Sequence, residues 1–172
     1  MKKTFLFLIL IIGSLYTSFS QSPYVMDTTR LEEQLAIHSD TLVGNNGRWQ
    51  LLYKQVPMMV VTAPDADRMR IIAPITDAAA LDESTLQDCM TANFHSALDV
   101  KYAISDGVLW SVYIHPLSPL TEEQITSALS QVYSAVVTYG TTYSSTELIF
   151  GGGAGTIEDQ EEEKPDIKLK KT

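Results

Sequence analysis

The sequence predicts an α+β domain: an antiparallel five-stranded sheet with helices packed on it, in the order α-β-β-β-α-β-β-α. Three observations carry this. Short runs of apolar and aromatic residues, one of them cleanly alternating, are joined by connections too brief for crossovers, so neighbouring strands must be antiparallel. Three other segments repeat their apolar residues at helical spacing, each behind a capping residue. Hydrophobic residues make up 45% of the 172 residues, enough for one core and hardly for two domains.

The chain opens with a leader. Lys2 and Lys3 precede an unbroken apolar run, Phe5 to Ile12, that is too short to span a bilayer. Ser18 and Ser20 are small residues at cleavage-site positions, so residues 1–20 read as a secretory signal cut between Ser20 and Gln21. The residue directly after the cut is Gln21 and not a cysteine, which argues against a lipoprotein, and no second long apolar run follows. The mature chain is therefore expected to be soluble, exported to the periplasm or beyond, and off the membrane.

The domain is expected over residues 21–150. Asp27, Thr28 or Thr29 can cap a helix through Leu31, Leu35, Ala36 and Ile37, and Gly44-Asn45-Asn46-Gly47 is expected to stop it and open a turn. Strands follow at Trp49 to Lys54 and at Met58 to Thr62, behind Pro57. Arg68 to Pro74 alternates, with Met69, Ile71 and Ala73 on one face and Arg68, Arg70 and Ile72 on the other. A middle helix runs from about Asp82 to Ala97, capped by Asp82 or Ser84. Lys101 to Ser105 and Val108 to His115 flank Asp106-Gly107, the strongest short hairpin signal in the chain. Thr121 and Gln124 form a capping box for a last helix, whose apolar stripe is Ile125, Leu129, Val132, Tyr133, Val136 and Val137 and which Gly140 ends. Residues 151–172 are a glycine linker and a charged tail, with acids from Glu158 to Glu163 and lysines at its end. The tail has too little apolar content to fold alone.

Composition removes several functions. Asp and Glu outnumber Lys and Arg 21 to 12, for a net charge of −9, which disfavours nucleic acid as a partner. One cysteine excludes an internal disulfide and a cysteine zinc site. His38, His95 and His115 lie on separate elements without ligand spacing, so no metal and no cofactor is expected. Cys89 falls on an apolar helix face and reads as a buried, inert thiol. Ser144 and Ser145 lack a nucleophile elbow, and the glycine run from Gly151 lacks the Gly-Lys-Ser/Thr of a phosphate loop. Asp65 and Asp67 begin like a calcium loop without its glycine or distal glutamate, and read as a solvated turn. Arg68 and Arg70 share a strand face and read as its solvent side, with a carboxylate or phosphate contact as the alternative. No nucleophile, base and orienter are spaced together, so the chain is read as a non-enzyme.

Leu86-Gln87-Asp88-Cys89-Met90-Thr91-Ala92-Asn93-Phe94, the hairpin Lys101 to Trp110, and His115-Pro116-Leu117 before the last helix resemble the type III secretion chaperone-like fold, shared with YbjN-like proteins. The resemblance covers roughly residues 30–140 and is structural. It implies a protein-binding or dimer-forming module without known catalysis. Such chaperones are small, acidic, dimeric and cytoplasmic, whereas this chain carries an export signal. The candidate partner or dimer surface is Leu86, Met90, Phe94 and Leu98 on the middle helix, wherever the core does not need them. Tyr53 and Tyr113 join it on the sheet face expected to lack helices. The function expected is an exported, chaperone-like protein-binding module with a protein partner or a second copy. The alternative is an exported structural or accessory protein binding through its tail or uncovered sheet face, and a small metal-dependent or hydrolytic enzyme ranks last.

Overall fold

The computed structural model describes residues 25–146; the expected leader, linker and tail lie outside the described residues. The elements are α1 (Thr28–His38), β1 (Thr41–Asn45), β2 (Arg48–Tyr53), β3 (Val56–Ala63), β4 (Arg68–Asp77), α2 (Glu83–His95), β5 (Lys101–Ser105), β6 (Val108–His115) and α3 (Glu122–Val137). All neighbouring strands are antiparallel, in the order β1-β2-β3-β4-β6-β5.

The sheet has six strands, where five were expected. The segment expected only to stop α1 and turn contains β1, which pairs Thr41 with Leu52 and Asn45 with Arg48. Gly44 and Asn45 are poor strand formers, which hides this strand in the sequence. Asn46 and Gly47, at φ 51° and 79°, supply the two left-handed residues of a tight hairpin turn. Asp106 and Gly107 do the same between β5 and β6, at φ 51° and 76°. A third two-residue turn joins β2 to β3 through Lys54 and Gln55, at φ 49° and 69°, without a glycine.

That turn is strained. A left-handed residue other than glycine costs about 1–2 kcal/mol, while glycine loses about 0.5–1 kcal/mol more backbone entropy on folding. Gln55→Gly keeps the Gln55 amide, which donates to Asp40 Oδ2 at 3.3 Å. It is expected to stabilise the domain by about 0.5–1 kcal/mol, read as a rise in Tm of about 2–4 °C.

The helix caps follow the sequence. Asp27 accepts from the Arg30 amide at 2.9 Å, Asp82 from the Thr85 amide at 2.8 Å, and Thr121 with Gln124 completes its capping box. Each cap satisfies amides that an isolated helix start leaves unpaired.

The core lies on one sheet face. Cross-strand pairing carries Trp49–Val60–Ile71–Tyr113 across β2, β3, β4 and β6, and all four are buried. Ala73 sits opposite Ser111, and Ser111 opposite Tyr102. α3 packs across β4 and β6 with Ile125, Ala128, Leu129, Val132 and Ala135 buried. Small residues on sheet and helix allow the close approach, and the Ser111 hydroxyl donates to Val132 O at 3.3 Å. α1 packs on α3 and β1 through Leu31 and Leu35, and α2 packs on β5.

Asp67 ties the edge of this core together. It adopts φ 49°, and its carboxylate accepts from the Ser118 amide at 2.7 Å and the Ser118 hydroxyl at 3.0 Å. The solvated turn is thus also a staple between the β3–β4 and β6–α3 connections. The Ser118 amide, aimed at the carboxylate, holds Asp67 below its ordinary value of 3.8. A depressed carboxylate stabilises the fold above its unfolded pKa, and that stability is lost as pH falls through the folded value. Tm is therefore expected to fall as pH drops below about 4. Asp67→Asn, which tolerates the left-handed backbone, should flatten that slope.

Candidate functional site

α2 turns its larger apolar side chains outward. Only Cys89 and Ala92 of this helix are buried. Leu86, Met90 and Phe94 recur every fourth residue and therefore share one face. They are 38%, 49% and 78% exposed. The core takes their small neighbours Cys89 and Ala92 instead. A stripe of Leu, Met and Phe open to water is the kind of patch that marks a protein contact.

The helix end is fixed in place. The Asn93 side chain accepts from the Tyr102 amide at 2.7 Å and donates to Tyr102 O at 3.1 Å. It satisfies the free edge of β5 as a neighbouring strand would. The Lys101 ammonium donates to Asn93 O at 2.9 Å and Leu98 O at 2.5 Å, and partial burial pushes its pKa down. Ala92-Asn93-Phe94 thus divides its work into a buried contact, an edge clamp and an exposed ring. Phe94 meets the His95 ring edge-on at 4.8 Å between centroids.

Leu98 does not extend the stripe. α2 ends at His95 with Ser96 as its cap, and Leu98 follows in a loop, half-buried and at φ 48°. The tyrosines are also placed differently from expectation. Tyr113 was expected on the sheet face without helices, but the inward residues of β6 are Leu109, Ser111 and Tyr113. Pairing decides this, because Tyr113 lies opposite the buried Ile71. Tyr113 is 4% exposed, and burial raises its phenol pKa, with Asp99 adding to it. Trp49, at an inward position of β2, is buried as well. Tyr53 is half-buried on the helix side, edge-on to Tyr133 at 5.9 Å, with Lys54 Nζ about 5 Å from both ring centres.

His115 lines a polar depression of about 440 Å³ with Asp99, Lys101, Tyr113, Gln124 and Ser127. Several of its groups are engaged already. His115 Nδ1 lies 2.7 Å from Pro116 O, and Asp99 exchanges hydrogen bonds with the buried Gln131, whose amide also donates to Ser127. Gln131, which holds a loop in place, carried no sequence motif, and Asn93 lay in the stretch that carries the family resemblance without an assigned role. Cys89 is buried, and burial raises its thiol pKa, with Asp88 adding to it. Ser145 is buried against Ser96 O, and the Ser96 hydroxyl donates to Tyr143 O. Among the described residues, no group of His, Cys, Asp and Glu gathers to hold a metal ion. None of the described helices is long and apolar enough to cross a membrane.

No family model matches the chain, and no curated protein matches it. Solved structures do. A chain of the ExsC–ExsE complex is similar at 17% identity, covering 63% of this chain and 90% of that one, with a TM-score of 0.49. A chain of the HopA1–SchA chaperone–effector complex is similar at 9% identity, covering 64% and 90%, with a TM-score of 0.51. At such identities the likeness is one of fold, and the fold resemblance to type III secretion chaperones, read from α2 and the β5–β6 hairpin, holds.

Proposed function

We propose that this chain is an exported, non-enzymatic, chaperone-like protein-binding module that acts as a homodimer joined through the exposed face of α2. The observation that carries the reading is the Leu86–Met90–Phe94 stripe, left open to water on a helix clamped at its end to β5. A two-fold contact places each apolar side chain against the same patch of a second copy, the usual geometry of small symmetric assemblies. The neighbouring chaperone–effector complex supports a protein as the partner class. Export rests on the leader of residues 1–20.

Both parts are testable in one preparation. Full-length chain expressed with its leader should be recovered outside the cytoplasm with Gln21 as its first residue. At molar excess that material should delay aggregation of a chemically reduced, unfolding test protein. Recovery of uncut chain in the cytoplasm would contradict export, and an unchanged aggregation time would contradict the chaperone-like role. The accessory-protein alternative draws on a different surface, the apolar sheet face that none of the described helices covers.

A further inference from the structure

The outward face of the sheet is apolar and carries cations. Cross-strand pairing aligns Val43, Gln50, Met59, Ile72 and Val112 in one row, and Arg48, Val61, Arg70 and Ile114 in the next. Val43 is 70% and Ile114 53% exposed. Two shallow depressions flank the arginine row. One, of about 470 Å³, has Val61, Arg70, Ile72 and Ile114 in its lining; the other, of about 440 Å³, has Val43, Arg48 and Met59.

The charge on this face opposes that of the whole chain, which is −9. Arg48, Arg68, Arg70 and Lys101 all occupy outward strand positions. Among the described strands, the carboxylate at an outward position is Asp77, at the far end of β4, where it caps the Ala79 amide at 2.8 Å. Arg48 and Arg70 have no carboxylate partner among the described residues. Cations beside exposed apolar side chains suit a segment that is acidic and partly apolar.

The chain itself contains such a segment. Ile157 is followed by Glu158, Asp159, Glu161, Glu162 and Glu163. Residues 147–158 reach up to about 40 Å when extended, at ~3.3 Å per residue. A folded domain of this size has a radius of gyration of about 14 Å, so the run can pass from the helix side, where the described chain ends, to the far sheet face. We propose that the acidic run of residues 157–163 docks on the outward sheet face of its own chain, with carboxylates on Arg48 and Arg70 and Ile157 over Val61, Ile72 and Ile114.

A nitroxide on Gln160→Cys in the otherwise complete chain tests this by paramagnetic broadening of methyl signals, with spin-labelled parent chain as the control for the buried Cys89. Val61, Ile72 and Ile114 should lose most of their intensity. The loss should fall to background in Arg48→Glu/Arg70→Glu, and also at about 0.5 M salt, where charges are screened. If that double variant misfolds, Glu161→Lys/Glu162→Lys leaves the sheet untouched and should give the same release. Unbroadened methyls, broadening that survives charge reversal, or broadening that passes only between spin-labelled and NMR-visible molecules in a mixture would each overturn the proposal.

Discussion

A chain carrying Met90→Glu and Phe94→Glu is expected to sediment as a monomer at concentrations where the parent is a dimer. The dissociation constant should rise by about a thousand-fold or more. Removing one well-buried apolar anchor from an interface costs about 2 kcal/mol or more, and every 1.4 kcal/mol is a factor of about ten in affinity. A two-fold interface feels each substitution twice, and the new carboxylates would have to be desolvated against their own symmetry mates. The folded monomer should hardly notice. Both side chains already face water, so Tm should move by no more than an exposed substitution allows, about 0.5 kcal/mol. Sedimentation equilibrium and a thermal melt on the same samples separate the two effects. Dissociation accompanied by a large loss of Tm would instead place these residues in the core.

Asn93→Leu is expected to cost the fold about 2–3 kcal/mol, because it removes two hydrogen bonds and leaves the Tyr102 amide and carbonyl without their partner. Asn93→Asp keeps the acceptor for the Tyr102 amide and loses the donor, so about 1 kcal/mol is expected. The order Asn, Asp, Leu in urea midpoint checks the mechanism, and hydrogen exchange at the Tyr102 amide localises it. The effect should reach beyond stability. Tyr102 is buried beneath Tyr139 and Tyr143 and donates to Ala135 O at 2.9 Å, so loosening β5 disturbs the seat of α2 and with it the exposed stripe. Equal losses for Asp and Leu would contradict the two-bond clamp as the source of the cost.

The legible parts of the fold were those with local signals. Asp27, Asp82 and Thr121 cap where hydrogen-bonding side chains precede apolar repeats, and Asp106-Gly107 makes the turn its chemistry demands. The parts that were hidden depend on pairing. β1 is held by its partner strand rather than by its own propensity, and Lys54-Gln55 turns because β2 and β3 require it. The facing of β6 could not be read from alternation, since both of its faces carry large side chains; the register with β4 turns Tyr113 inward and leaves Ile114 out. For the candidate surface, the spacing of Leu86, Met90 and Phe94 was visible, but not whether the core would claim them. Cys89 and Ala92 fill the inner side of α2, so the stripe faces out, while Leu98 falls in the loop beyond.

Light scattering after size-exclusion chromatography of residues 21–172 tests the homodimer most directly. A mass of twice the chain, reverting to one in the Met90→Glu/Phe94→Glu variant, is the predicted result. A single-chain mass at every concentration up to the solubility limit would contradict it and leave the uncovered sheet face as the surface to probe.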